Sequence, residues 1–324
     1  MMKANESYIL EKVSNSVAGG GALLDDFLQF PRYIQLETIN RCNARCAMCA
    51  IEEWDREDKY MNDDLFHRIS NELINHSNVI ERVSIFMGGE ALLDKKLESR
   101  IKKLSTNGIQ NIYFTTNASL LDATRAKEIL ESGVTQVDIS IDSLNKEIYE
   151  KIRVNLKFDV VLENTLRFIK LRNAGDYKTR IRIRITEMLC NRDEVESMEE
   201  FWNGVLDSKR GDAVYSKRLN TKFTDTNISK NASDFIGMKE YKQEAFDCNA
   251  YPCYALWNTS VILSDGRVGM CCVDMGRSVI FGDLKTQTLQ DVWQNSKALL
   301  KMRQVHLQGG RGCIAVCENC DTWV

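Results

Sequence analysis

Tyr33-Ile34-Gln35-Leu36-Glu37-Thr38, a run rich in β-formers, is followed within a few residues by Cys42-Asn43-Ala44-Arg45-Cys46-Ala47-Met48-Cys49, and that succession decides how the chain is read. With 11 cysteines in 324 residues, this three-cysteine spacing arises at a given start roughly once in 25,000 trials, so chance is a poor account of it. Three thiols this close on one loop cannot all pack as inert core, but they can hold three irons of a cubane cluster on a short, wrapped segment. The fourth iron then lacks a nearby cysteine. A vacant position on a metal is a coordination site for substrate or cofactor. Structural zinc with a fourth ligand elsewhere is the alternative that spacing leaves open.

The sequence on either side places this loop in an α/β fold. From Tyr33 to about Leu219 short β-rich runs alternate with longer segments of helical period, which argues for βα units around a parallel sheet. Strands are predicted at Tyr33 to Thr38, Arg82 to Met87, Asn111 to Thr116, Val137 to Asp142, Arg180 to Met188 and Asp212 to Leu219. Between them Leu65, Ile69 and Leu73 share one helical face, as do Leu97, Ile101 and Leu104, and Val161, Thr165 and Ile169. At the end of the second strand, Met87-Gly88-Gly89-Glu90 combines two glycines, which let a ligand approach the backbone, with a carboxylate. Thr115-Thr116-Asn117 after the third strand and Ser140-Ile141-Asp142-Ser143 at the fourth offer small polar groups.

A less apolar stretch, residues 220–246, reads as a linker or mobile cap between a first domain (1–219) and a cysteine-rich end (247–324). In that end Val261-Ile262-Leu263 and Arg267-Val268-Gly269-Met270 flank Ser264-Asp265-Gly266, a strong hairpin signal, and Thr288 can cap a helix carrying Leu289, Val292 and Trp293. Composition narrows the class. The chain is 44% apolar and 27% charged, as expected of a folded globular protein. Its net charge of −3 gives no electrostatic reason to expect nucleic acid as a partner. No apolar run of about eighteen residues predicts a membrane span, and no export signal opens the chain, so a cytoplasmic location is expected. The cytosol keeps thiols reduced, which favours metal ligation over disulfides for the cysteines.

With these motifs in place, the chain resembles the radical S-adenosylmethionine (SAM) enzymes: Cys42, Cys46 and Cys49 carry the family's spacing, and Gly88-Gly89-Glu90 its Gly-Gly-Glu motif. The resemblance covers most of the chain. It implies an α/β fold, a partial (β/α)6 barrel, binding a [4Fe-4S] cluster whose open iron is chelated by the amine and carboxylate of S-adenosyl-L-methionine. It further implies that Gly88, Gly89 and Glu90 face the methionine amine, and that Ser140 and Asp142 lie near the ribose and carboxylate, with Thr116 and Asn117 as further candidate contacts. Met48 stands where the family often has an aromatic residue, leaving the adenine contact to its backbone or thioether. The implied chemistry is reductive cleavage of SAM to a 5′-deoxyadenosyl radical that takes hydrogen from unactivated carbon, inside a barrel that keeps water away.

Cys313, Cys317 and Cys320 repeat the same spacing, but only the first trio leaves a strand and is followed by Gly-Gly-Glu. Cys253, Cys271, Cys317 and Cys320 can complete one further cluster, and a zinc ribbon would use the same ligands. This tail resembles a small α+β twitch/SPASM-like domain, which implies one auxiliary [4Fe-4S] cluster and about eight irons per chain. Of the remaining cysteines, Cys248 and Cys272 read as buried apolar residues, Cys313 as a possible substitute ligand, and Cys190, just past the fifth strand, as the thiol best placed to face substrate.

A fully ligated auxiliary cluster has no vacant iron, so its natural roles are to carry electrons or to hold the barrel's open end. That favours net two-electron oxidation, as in the family's sugar and aminocyclitol alcohol dehydrogenases, with a flavodoxin or ferredoxin as electron donor. Arg182, Arg184 and Glu187 are candidates to orient or deprotonate substrate. Three rivals stay open: epimerisation with a cysteine hydrogen donor, peptide modification, and a non-catalytic iron–sulfur or zinc module. Many peptide-modifying members carry a leader-binding domain before the barrel, and residues 1–41 are short for one.

Overall fold

A computed structural model describes residues 2–14, 24–49, 51, 60–219, 234–237, 250–274, 277–318, 320 and 322. Apart from 234–237, the predicted linker or cap lies outside the described residues, as does Cys248.

All six predicted strands are present: β1 (Tyr33–Leu36), β2 (Arg82–Ser84), β3 (Ile112–Thr116), β4 (Gln136–Ser140), β5 (Arg180–Glu187) and β6 (Ala213–Arg218). Each pairs in parallel with the next in chain order, with helices in the connections. The helical faces read from sequence are the buried ones. Leu65, Ile69 and Leu73 lie under the helix Asp63–Asn75, whose first turn is capped by Asn62 accepting from the Leu65 amide at 2.8 Å. Leu97, Ile101 and Leu104 are buried on Leu97–Ser105, and Val161, Thr165 and Ile169 on Phe158–Ala174. The last of these helices is tied to the start of β6 by a fully buried pair, Arg172 Nη1 donating to Asp212 Oδ1 at 2.8 Å, and Asp212 also accepts from the Ile181 amide.

The predicted hairpin forms from β7 (Thr259–Ile262) and β8 (Arg267–Gly269), with Gly266 in the left-handed conformation (φ 89°) that the turn requires. A third strand, β9 (Ile280–Asp283), pairs antiparallel with β8. What sequence does not foretell is where this unit docks. β7 pairs in parallel with β1, Tyr33 opposite Thr259, so one nine-stranded sheet runs β9-β8-β7-β1-β2-β3-β4-β5-β6 through both halves of the chain. The physical reason is the edge of β1: six strands that do not close leave its backbone groups unpaired, and the hairpin covers them. Thr288 caps Leu289–Asn295 as expected, accepting from the Asp291 amide at 3.0 Å. Among the described residues, no helix is long and apolar enough to cross a membrane.

Candidate active site and auxiliary cluster site

The first cysteine loop is fixed from two sides. Arg45–Cys46 pairs antiparallel with Arg153–Val154, and the Ala47 amide donates to the Ile152 carbonyl at 2.8 Å. On the other side the Gly-Gly-Glu segment crosses the start of the loop. A Cβ on Gly89 would lie 2.4 Å from the Arg41 carbonyl oxygen, and the Glu90 amide donates to that same oxygen at 2.7 Å. Gly89 is therefore demanded by a backbone crossing, a use of glycine not foreseen from the sequence. The Glu90 carboxylate is buried and accepts from Thr116 Oγ1 at 2.6 Å, the Leu92 amide at 3.0 Å and the Asn117 amide at 2.8 Å. Burial pushes its pKa up and these donors act against that shift. Glu90 thus binds the end of β2 to the end of β3.

Around the loop lies a cavity of about 370 Å³. Cys42, Cys46 and Cys49 all line it, as do Met48, Gly88, Gly89, Glu90, Thr116, Asn117 and Ser140, the expected cofactor contacts. Asp142 does not. It is fully buried, accepting from the Thr186 amide at 2.8 Å through Oδ1 and from Arg153 Nε at 2.6 Å through Oδ2. Arg153 occupies the wall instead, and its Nη1 reaches Cys46 Sγ at 3.4 Å. Asp142, expected near the ribose and carboxylate, instead pairs with an arginine that faces the site.

Strand register sorts the candidates on β5. Ser140, Arg184 and Tyr215 stand side by side across β4, β5 and β6, and all three line the cavity. Arg182 lies two residues earlier, roughly 6.6 Å lower along the strand, where it grips Asp138 with Nε at 2.9 Å and Nη2 at 2.6 Å and takes no part in the wall. Glu187 stands outside the lining, 3.9 Å from Nε of the cavity residue Arg218. Cys190 also lies outside it, beside the small apolar cluster of Ile152, Met188, Leu219 and Ile236, where burial pushes its thiol up to about 11. Arg153, Phe86, Tyr215 and Lys217 are wall residues that sequence reading missed. Tyr215 and Lys217 carry a findable signal, since alternation on β6 puts them on one face; Arg153 carries none.

The second site gathers the expected ligands. Cys253, Cys271, Cys317 and Cys320 line one internal cavity, closed by Ala255, Leu256, Met270 and Val316. Cys313 is exposed on the turn Arg311–Cys313 and Cys272 is half-buried; neither lines this cavity. The buried Arg311 holds the ligand loop, donating to the carbonyls of Tyr251 at 3.1 Å, Cys317 at 3.4 Å and Cys320. His306 completes the wall, its Nδ1 accepting from the Cys253 amide at 3.0 Å.

These residues fit the groups the sequence implies. Burial pushes the Cys42 and Cys253 thiols up to about 12, so neighbouring thiolates require a bound cation to coexist at neutral pH. Among the described residues, no three His, Cys, Asp or Glu side chains converge closely enough to hold a single ion. The thiols line the two cavities together, and thiolates are the ligands an iron–sulfur cluster uses.

Comparison with known proteins agrees. The radical SAM superfamily model matches residues 36–187, and the iron–sulfur cluster-binding SPASM domain model matches 253–321. A GTP 3′,8-cyclase of Thermodesulfovibrio yellowstonii is 30% identical over 184 residues, 53% of this chain and 52% of that protein. The chain spans about half the length, or less, of the curated relatives it matches. Among solved structures, BtrN in complex with AdoMet and 2-DOIA aligns over 90% of this chain and 94% of its own (TM-score 0.55, 18% identity). Streptococcus suis SuiB bound to precursor peptide SuiA aligns over 86% and 69% (TM-score 0.63, 15% identity), and at such identities both likenesses speak for the fold. An open three-cysteine site on a parallel sheet, a separate four-cysteine site and both matched models lead to one conclusion: the chain belongs to the radical SAM superfamily and carries a C-terminal SPASM-type iron–sulfur cluster domain.

Proposed function

We propose that this radical SAM enzyme oxidises an alcohol carbon of a sugar. The observation that carries the reading is the second site: four cysteines around one cavity leave a bound cluster no vacant iron, and of its two roles, electron transfer or structural support, the first is taken here. When bound, the first cluster and SAM supply a 5′-deoxyadenosyl radical that removes hydrogen, and the auxiliary cluster supplies the acceptor for the electron left on the substrate. Cys42, Cys46 and Cys49 would hold the former, and Cys253, Cys271, Cys317 and Cys320 the latter. Arg277, beyond the hairpin, contacts the cavity residue Met87 (Nη2 to Sδ, 3.7 Å) and joins the two regions.

The charges of the cavity wall support this reading of the substrate. Arg153 is balanced by Asp142 and Arg218 stands beside Glu187, whereas Arg184 and Lys217 have no ion pair among the described residues. Glu90 is the one carboxylate among the described residues of the wall, and its oxygens are engaged. That excess of positive charge favours a neutral or anionic sugar over a cationic aminocyclitol. Arg184 orients the substrate, and Glu187, outside the lining, acts only through its position beside Arg218. Epimerisation fits less well: among the described residues, the thiols in the wall are the three expected to bind iron. A flavodoxin or ferredoxin would deliver the reducing electron.

The test is anaerobic turnover with sugars deuterated at the reacting carbon. Deuterium in 5′-deoxyadenosine and a product lighter than the unlabelled substrate by two mass units are expected. An isomer that has lost the deuterium and gained a solvent hydrogen, equal in mass to the unlabelled substrate, would replace oxidation with epimerisation, and turnover of a peptide in place of sugars would reassign the substrate.

A further inference from the structure

We propose that His306 donates a hydrogen bond from Nε2 to the auxiliary cluster and so raises that cluster's reduction potential. His306 lies in the last turn of the helix Lys297–Leu307, is fully buried, and lines the same cavity as Cys253, Cys271, Cys317 and Cys320. Its Nδ1 lies 3.0 Å from the Cys253 amide nitrogen. A main-chain N–H can only donate, so Nδ1 carries no proton and the ring is the neutral tautomer protonated at Nε2. That nitrogen is buried and meets no acceptor among the described residues.

A buried donor left unmet is unfavourable, and the sulfurs of a bound cluster are the acceptors this cavity would bring to it. The same tautomer excludes direct ligation. A nitrogen that keeps its proton has no lone pair for iron, so His306 does not replace any of the four cysteines. Hydrogen bonds to cluster sulfur stabilise the reduced, more negative state, and the buried Arg311 in the same wall acts in the same sense. The consequence is an auxiliary cluster made easier to reduce by a positioning residue that binds no metal. The inference rests on the auxiliary cluster and is independent of which substrate is oxidised.

Two substitutions separate the ring's two nitrogens. His306→Asn keeps an acceptor near the Nδ1 position and removes the Nε2 donor, whereas His306→Gln restores an N–H at the Nε2 position. Both are read in a Cys42→Ala background, so that only the auxiliary cluster contributes signal in an EPR-monitored redox titration. The Asn variant should favour the oxidised state about tenfold more at a fixed potential, a fall of about 59 mV for one electron, with Gln close to the parent. An Asn variant that keeps the parental potential overturns the proposal. A second reading needs no variant at this position: pulsed EPR with ¹⁵N-histidine labelling should show a weak nitrogen coupling and an exchangeable proton at the reduced cluster. A strong coupling typical of an iron-bound nitrogen, or none at all, overturns it too.

Discussion

The two cysteine sites use the same residue on opposite principles. At the first, three thiols on a loop share a cavity of about 370 Å³ with arginines, threonine, serine and asparagine. At the second, four thiols sit in a closed pocket whose other lining is mostly apolar. The difference lies in ligand number and access. A site one cysteine short, with room beside it, leaves a metal position for a cofactor to occupy. A site with its full set, sealed by Leu256, Met270 and Val316, can pass electrons but admits nothing. Two matching Cys-x3-Cys-x2-Cys spacings are therefore used differently: all three thiols of the first line its cavity, whereas Cys313 of the second stays outside and Cys253 and Cys271 join Cys317 and Cys320.

Paired substitutions break this comparison most sharply. Cys46→Ala should abolish 5′-deoxyadenosine formation and leave about four irons of the expected eight. Cys317→Ala should remove the other half of the iron and still permit SAM cleavage, now without oxidised product; iron analysis and chromatography of the nucleoside check both. Next in size is the support of the open site. Asp142→Asn releases Arg153 from its partner and should lower SAM cleavage by about 10- to 100-fold while auxiliary-cluster loading stays unchanged.

Smaller effects sharpen the contrast further. Gly89→Ala forces a methyl group against the Arg41 carbonyl and should cost about 1–3 kcal/mol in thermal unfolding. Cys190 gives the smallest signal. Burial holds its thiol up to about 11, and since only the thiolate is alkylated, iodoacetamide labelling should be slow at pH 8 and rise towards pH 11. Mass spectrometry of digests follows the labelling. A labelling rate already at its plateau by pH 9 would put the thiol in an open, polar setting and restore it as a substrate-facing group.

Much of this was legible in the sequence because it was local. The β-rich runs that alternate with helical segments gave six strands in the order observed, and the buried faces of three helices followed from their period. The close spacing of Cys42, Cys46 and Cys49 and the clustering of the tail cysteines singled out thiols that line two cavities. What stayed hidden depends on register and long-range pairing. The docking of β7 on β1 joins residues far apart in sequence, and nothing in either strand's pattern names its partner. Arg182 and Arg184 look alike in an alternating run, yet one residue pair along β5 moves a side chain from the cavity wall to the layer below it. Asp142 matched the expected place but is drawn away by Arg153, and Cys190 lies at a strand end but packs beside an apolar cluster. Arg311 and His306 escaped notice because single residues outside a motif acquire meaning only when folding sets them against a cysteine.

The central claim is that SAM binds at the first cluster and not the second. It is tested most directly by EPR of the reduced, reconstituted protein with and without SAM, alongside assay of 5′-deoxyadenosine. SAM should perturb one of two cluster signals, the perturbation should persist in Cys317→Ala and vanish in Cys46→Ala, and the nucleoside should form only where the perturbation is seen. A SAM response that survives in Cys46→Ala, or protein that binds zinc in both places and forms no nucleoside, would contradict the account.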